Sequence, residues 1–224
     1  MNFELSEEQL ILKDTIYKFM VKEIEPIAEE MDEKDQFPPD LWSKLSDLGI
    51  MGINIPTKYG GAEAGLLSAT IVMEEICRIS PAIGVSWGAH ATLCADNIAR
   101  NASPEQQAKY LPSLCTGEKI GALALTEPGA GSDAVGIQTT AIRKGDYYVV
   151  NGTKTFITNG PIADTAVLYT KTDKTKGPKG ITAFILEKGF PGFSVSKKLR
   201  KMGNRGSPTG ELVFQDCMIP AENR

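Results

Sequence analysis

The sequence contains one histidine, His90, which effectively excludes a histidine-rich metal site and a Ser-His-Asp triad. It has four cysteines, Cys77, Cys94, Cys115 and Cys217, and no C-x-x-C pair. This pattern favours buried free thiols in a reducing compartment over a disulfide framework. No metal site is expected, so any chemistry must come from carboxylates or from a cofactor.

Long apolar runs are also missing, since none approaches the roughly 20 residues that span a bilayer. The start, MNFELSEEQL, is acidic and lacks the basic and apolar regions of a signal peptide. The formal net charge is -4, so neither nucleic acid nor an anionic membrane is an expected partner. The basic run at residues 197–201 is interpreted first as a solvated face and second as a phosphate contact. We expect a cytoplasmic protein, with the mitochondrial matrix left open if a transit peptide has been removed.

The first half of the chain has the spacing of helices. Ser6 with Gln9, and Ser103 with Gln106, form capping boxes that start the first and the fifth helix. Pro26 should interrupt the first helix. The remaining periodic segments predict helices over residues 40–48, 66–79 and 83–99, and the fifth helix should end near Gly117. Residues 1–117 are therefore predicted to be an all-α helical domain.

The second half has short β-rich runs separated by turn signals. Predicted strands cover residues 120–125, 139–143, 147–150, 153–158, 166–171, 180–186, 193–196 and 211–214. Lys144-Gly145-Asp146 predicts one turn, and Asn151-Gly152 predicts a type I′ hairpin. No helical pattern separates the strands, which favours an antiparallel barrel or sandwich over βαβ units. The predicted fold class is α+β, with an antiparallel β domain over residues 118–224.

One loop in the β domain could hold an anionic ligand. An apolar strand runs into Thr126, Pro128 turns the chain, and Gly129 and Gly131 let the backbone approach a ligand closely. Ser132 adds a hydroxyl, and the N–H groups of such a loop can cradle a pyrophosphate. The loop has neither the Gly-Lys-Ser/Thr of a P-loop nor the spacing and following helix of a Rossmann fingerprint. From these residues alone, a tight turn between strands is at least as good an interpretation.

Further sequence blocks carry a resemblance that covers essentially the whole chain. They are TEPGAGSD at residues 126–133, NGTKTFITNG at 151–160, KMGNRGS at 201–207 and LVFQDCMIP at 212–220. In this order and spacing they resemble the signatures of the acyl-CoA dehydrogenases. Such ordered blocks are far more specific than one glycine-rich loop.

The resemblance implies FAD as cofactor, with a set of flavin contacts in the β domain. Thr126 would bond a ring carbonyl, Thr158 would bond near N5, and Ser132 would lie near the pyrophosphate and the acyl-CoA entrance. Phe156 replaces the Trp more often found there, which keeps an aromatic wall but leaves its role at an electron-transfer surface open. The full implied set is Leu123, Ala124, Leu125, Thr126, Ser132, Phe156, Ile157 and Thr158.

The implied reaction is α,β-dehydrogenation of a short or branched-chain acyl-CoA, with electrons passed to electron-transfer flavoprotein. Ser132 and Lys179 are the candidate substrate contacts, although a solvated loop remains the plainer interpretation of Lys179. In the family the base is a Glu of a carboxy-terminal helical domain, and this chain stops at Arg224. We therefore expect no catalytic base in this chain and a structural role for Glu127. We also expect residues 1–224 alone to bind FAD weakly and not to turn over acyl-CoA.

Within the family, the sequence is most similar in appearance to isovaleryl-CoA dehydrogenase, which implies a role in fatty acid or branched-chain amino acid breakdown. The butyryl-CoA and glutaryl-CoA dehydrogenases are kept as alternative subgroups. A homotetramer is implied for the full-length protein. Two alternatives are kept. One is an oxygen-using relative, such as an acyl-CoA oxidase or a nitroalkane oxidase, and the other is a non-catalytic binding module on the same scaffold.

Overall fold

The computed structural model describes residues 4–224, which fall into two compact units. The helical unit contains the residues up to Glu118 together with Arg200–Ser207, and the β unit contains Lys119–Leu199 with Pro208–Arg224. No helix among the described residues combines the length and the apolar character needed to cross a membrane.

The helical unit follows the predicted pattern of starts and interruptions. Its helices are α1 (Glu7–Glu23), α2 (Ala28–Lys34), α3 (Leu41–Asp47), α4 (Gly65–Ile79), α5 (Pro81–Gly88), α6 (Asp96–Asn101) and α7 (Pro104–Cys115). Both predicted capping boxes are confirmed, with Ser6 Oγ accepting from the Gln9 amide at 3.2 Å and Ser103 Oγ accepting from the Gln106 amide at the same distance. Pro26 lies in a short 3-10 turn between α1 and α2, so the predicted interruption is confirmed.

The segment predicted as one helix over residues 83–99 has a change of pitch inside it. A π-helical stretch, Ala89–Ala95, joins α5 to α6 and contains His90. Two glycines before this stretch lie close to α4, because a Cβ at Gly84 would come within 2.2 Å of Cys77 Sγ, and one at Gly88 within 2.3 Å of Met73 Cε. The small residues therefore allow α5 to pack closely on α4.

The segment Arg200–Ser207 clusters with the helical unit, whereas the sequence alone places it in the β domain. Arg205 donates to the carbonyls of Asp32 at 2.7 Å and Glu33 at 3.0 Å, near the end of α2. The Gly206 amide donates to Asp35 Oδ1 at 2.8 Å. The bonds from Arg205 therefore reach carbonyls at the carboxyl end of α2, where a helix leaves its last carbonyls short of intrahelical partners, and the Gly206 bond reaches the side chain of the residue that caps α2.

In the described residues the β unit forms one seven-stranded sheet, with the order β1-β4-β2-β3-β7-β6 and with β5 paired to β4. The strands are β1 (Gly121–Ala124), β2 (Thr140–Lys144), β3 (Tyr147–Thr158), β4 (Thr165–Lys171), β5 (Ile181–Glu187), β6 (Phe193–Lys198) and β7 (Thr209–Pro220). The predicted α+β class is confirmed, but the sheet is mixed and not purely antiparallel, because β1 and β4 pair in parallel and β2 meets β4 in parallel through Thr140 and Lys171. Two parallel strands must be joined by a long crossover connection. Between β1 and β4 this connection consists of a loop and the β2–β3 hairpin, and it contains no α-helix.

The predicted hairpin at Asn151-Gly152 is also wrong. β3 runs without a turn from Tyr147 to Thr158 and pairs along its length with β7, with a register shift between Val150 and Gly152. Gly152 has φ +150°, and a Cβ there would lie 2.4 Å from Thr139 Oγ1, so the glycine serves a bulge with close packing. The turn at Lys144-Gly145-Asp146 is confirmed, since it joins β2 to β3.

Candidate cofactor site

Two chain segments of the β unit lie side by side: the residues that follow β1 and the second half of β3. The Thr155 amide donates to the Thr126 carbonyl at 2.8 Å. The preceding residue, Lys154, donates from Nζ to the Leu125 carbonyl at 2.9 Å. The structure therefore brings the predicted set around Thr126 next to the predicted set that begins at Phe156.

The side chains of the predicted set divide between the core and the surface. Ala124 and Ile157 are buried in the apolar core of the β unit, so only their main chains are left for a ligand. Leu123 and Leu125, at alternate positions, are half-buried. The core comprises Ala122, Ala124, Ala141, Tyr148, Val150, Ile157, Ala166, Leu168, Phe184, Leu186, Leu212, Phe214, Cys217 and Ile219.

Phe156 lies on an irregular part of β3. Its φ is +58°, a left-handed conformation that is uncommon for a bulky residue, and the pairing with β7 shifts register between Lys154 and Ile157. The residue is 69% exposed. A strained backbone conformation of this kind persists only where the surrounding structure holds it. Non-glycine residues in such conformations are found most often at functional sites.

Asn159, which the sequence reasoning did not single out, directly follows this strand. It has φ +63° and is buried, and its Nδ2 donates to the Gly121 carbonyl at 3.1 Å. Its amide donates to the Pro208 carbonyl at 2.6 Å. An asparagine before a glycine in the NGTKTFITNG block was the available signal, since asparagine tolerates the left-handed region and bonds locally.

The loop after Thr126 is a tight turn followed by open backbone. Glu127 and Ala130 exchange two backbone hydrogen bonds, at 3.0 and 3.1 Å, around Pro128 and Gly129. A Cβ added at Gly129 or at Gly131 would meet no atom within 4 Å, and neither glycine has a positive φ. The chain's own packing therefore does not require these two glycines, and the space beside them is free for a ligand.

Several donors around the loop have no acceptor in the described chain. The hydroxyls of Thr126, Ser132 and Thr158 make no hydrogen bond within residues 4–224, and the same holds for the Gly131 and Ser132 amides. Thr126 and Thr158 are half-buried, and Ser132 is exposed. This donor set suits a ligand with carbonyl and phosphate oxygens, which accept hydrogen bonds.

A buried ion pair lies directly behind the loop. Lys154 is 0% exposed and its Nζ contacts Glu127 Oε1 at 2.7 Å. The Thr139 amide donates to the same oxygen at 3.0 Å, and the Gln138 amide donates to Oε2. Sequence reasoning missed Lys154, although a buried carboxylate at Glu127 calls for a partner of this kind.

These contacts keep Glu127 ionised. Burial alone would raise the pKa of Glu127, but the hydrogen bonds from Lys154 and from the Thr139 and Gln138 amides outweigh burial and hold this pKa below its ordinary value. Burial lowers the pKa of Lys154, and the Glu127 carboxylate opposes that effect. A general base needs a raised pKa and a free oxygen within reach of substrate, so Glu127 is unsuited to that role.

Lys179 is the other predicted substrate contact. It is exposed in the 3-10 segment Lys174–Gly180, and its side chain forms no ion pair or hydrogen bond to any described residue. The described residues also contain no group of three or more His, Cys, Asp or Glu side chains that could hold a metal ion.

Family models cover almost all of the chain. Residues 6–118 match the acyl-CoA dehydrogenase N-terminal domain, and residues 122–217 match the acyl-CoA dehydrogenase middle domain. The chain belongs to the acyl-CoA dehydrogenase family. The candidate site lies within the part that matches the middle domain of this family.

The curated relatives matched by this acyl-CoA dehydrogenase chain are longer than the chain itself. The chain is 51% identical over 223 residues to the mitochondrial isovaleryl-CoA dehydrogenase of Pongo abelii, covering 98% of the chain and 53% of the relative. It is 48% identical over 223 residues to the short-chain specific acyl-CoA dehydrogenase of Clostridium acetobutylicum, covering 100% of the chain and 59% of the relative. The chain thus spans little more than half the length of these relatives.

Solved structures repeat the fold at similar coverage. A chain solved in work on the electron transferring flavoprotein of Acidaminococcus fermentans superposes with a TM-score of 0.96 at 44% identity. Butyryl-CoA dehydrogenase from Megasphaera elsdenii gives 0.95 at 42%, and PigA with FAD and proline gives 0.94 at 36%. Each match covers 100% of this chain and 59% of the other chain.

Proposed function

We propose that the β unit holds FAD for the α,β-dehydrogenation of a short or branched-chain acyl-CoA, with electron-transfer flavoprotein as electron acceptor. The observation that carries this proposal is the group of donors without acceptors at Thr126, Ser132 and Thr158, on two segments tied together by one backbone hydrogen bond. The names of the isovaleryl-CoA and short-chain relatives support the substrate class. The structure of PigA with FAD supports the cofactor.

The residues present fit such a cofactor through their donor chemistry and through the space at the loop. Thr126 and Thr158 would donate their hydroxyls to the flavin, and the Gly131 and Ser132 amides would face the pyrophosphate. The open positions beside Gly129 and Gly131 leave room for close approach. When bound, FAD would supply the redox chemistry, accepting the hydrogen and electrons removed from the acyl chain.

The proton-abstracting base lies outside this donor set. Removing an α proton requires a carboxylate with a tuned pKa and an oxygen free to reach the substrate. Glu127, the acidic residue of the loop, has its carboxylate bonded to Lys154 and to two amides. The contribution of this site is therefore to bind and orient the flavin, with Ser132 and Lys179 as candidate contacts for the acyl-CoA.

The substrate and the acceptor are tested on the FAD-loaded full-length protein under anaerobic conditions, because no catalytic base is expected within residues 1–224. We expect isovaleryl-CoA or butyryl-CoA to bleach the visible flavin absorbance faster than glutaryl-CoA or a long-chain acyl-CoA. Electron-transfer flavoprotein should then restore the absorbance faster than air does, because a dehydrogenase passes its electrons to that protein. Bleaching by none of these thioesters would refute the proposed reaction, and faster restoration by air would favour an oxygen-using relative.

A further inference from the structure

The fully buried amine of Lys154 has no role in the function proposed above, yet it contacts the loop that carries Thr126. Lys154 and Thr155, two consecutive residues of β3, bond to the carbonyls of Leu125 and Thr126, two consecutive residues of the other segment. The Lys154 ammonium also bonds the Glu127 carboxylate. One side chain therefore contacts the residues on both sides of Thr126.

The same lysine lies at the edge of the irregular part of β3. Pairing with β7 is regular at Lys154 opposite Leu212 and resumes only at Ile157 opposite Gly210. Phe156, exposed and with a positive φ, lies within this interruption, and Thr158 lies just beyond it. Fixing Lys154 therefore fixes the point from which the chain departs towards Phe156 and Thr158.

We propose that Lys154 and Glu127 are a positioning pair, which holds the segments of Thr126 and Thr158 in the geometry that binds the flavin. The pair acts through the backbone and touches neither cofactor nor substrate. This inference rests on the proposed function for its consequence on FAD, but the ordering of the loop is a property of the chain itself.

The geometry sets the pair apart from an ordinary stabilising contact. Both ends of the Glu127 carboxylate are occupied, by the ammonium and by the amides that lead into β2, so the loop is held to β2 and β3 at once. Buried charges of this kind need full pairing, and a partly paired arrangement would not remain buried. The inward groups are thereby satisfied, while the Thr126 hydroxyl remains free.

The test compares Lys154→Met, the double variant Lys154→Met with Glu127→Gln, and Asn223→Ala as a matched control. The double variant removes both charges, so it leaves no unpaired charge buried. The control also removes a buried side-chain donor from a strand carbonyl, since Asn223 Nδ2 donates to the Ile185 carbonyl at 2.7 Å. Folding of each variant is checked by circular dichroism and by its melting temperature.

The first readout is amide hydrogen exchange in the chain without FAD. The Thr155 and Ala130 amides should exchange faster in the double variant than in the wild type, whereas the Asn223→Ala control should leave them unchanged. Unchanged exchange at these amides in the folded double variant would overturn the proposal, whatever the protein does with FAD.

The second readout is the flavin. The double variant should bind FAD about tenfold more weakly or worse, comparable to the loss of a supporting partner at other ligand sites, with a shifted visible spectrum. Asn223→Ala should retain the wild-type affinity and spectrum even if it melts earlier. Wild-type affinity in the double variant would overturn the positioning role but leave the proposed function intact. Failure of the wild type to bind FAD would instead refute the proposed function.

Discussion

At the scale of single residues, His90 couples the stability of the helical unit to pH. Burial lowers the pKa of His90 to about 4 from 6.5, and its Nε2 donates to the Leu114 carbonyl at 3.0 Å. The ring is therefore neutral in the folded protein at neutral pH, and protonation favours the unfolded chain. His90 is the single histidine of the sequence, which makes its effect separable.

The unfolded chain binds the His90 proton at about pH 6.5 and the folded chain at about pH 4, so stability falls as pH falls through this window. The stabilisation is complete above pH 6.5, and its loss amounts to roughly 3 kcal/mol at about 1.4 kcal/mol per pKa unit. Denaturant unfolding at a series of pH values measures this loss. In the variant His90→Gln, which keeps a donor for the Leu114 carbonyl, the free energy of unfolding should depend less steeply on pH between pH 6.5 and 5. An unchanged pH dependence would show that other groups cause the loss.

Single residues also show what the sequence could predict of the site and what it could not. Thr126, Ser132 and Thr158 could be selected because they lie in ordered blocks that resemble a family. Lys154 and Asn159 lie in one of the same blocks but were missed, since their partners, Glu127 and Gly121, are distant in the chain. Contacts across such separations depend on strand pairing, which a single sequence does not specify.

At the scale of secondary-structure elements, local signals predicted helix starts better than strand connections. The capping boxes at Ser6 and Ser103 involve residues three apart, so the sequence contains all that they need. The Asn151-Gly152 signal was misread because long-range pairing with β7 and close packing against Thr139 outweigh the local turn preference. The parallel pairing of β1 with β4 has the same origin, since it joins strands that are not consecutive.

The bulge in β3 gives a prediction for this element. Gly152→Ala should lower the free energy of unfolding by about 3 kcal/mol, because the added Cβ would lie 2.4 Å from Oγ1 and 2.8 Å from Cα of the buried Thr139, and overpacking of this kind forces the backbone to shift. Gly145→Ala, at a turn with φ +63° and open space around it, should cost only about 1 kcal/mol for backbone strain. Chemical denaturation of both variants measures the difference. If the Gly145 variant lost as much stability as the Gly152 variant, crowding at Thr139 would not be the reason for the glycine.

At the scale of the whole molecule, periodicity alone separated a helical part from a β part. The change from helical to alternating spacing predicts a domain boundary near residue 118, and the first compact stretch of the structure runs to Glu118. Periodicity did not reveal that Arg200–Ser207 clusters with the helical unit. That assignment depends on hydrogen bonds from Arg205 and Gly206 to residues near the end of α2, which no spacing rule predicts.

The central claim is that Thr126 and Thr158 hold a flavin, and the most direct measurement is the dissociation constant for FAD. We expect Thr126→Val and Thr158→Val each to weaken FAD binding by about three- to tenfold, the size of one lost hydrogen bond. Thr153→Val, on the same strand outside the predicted set, should leave binding unchanged. An equal loss in all three variants, or wild-type affinity in the Thr126 and Thr158 variants, would contradict the account.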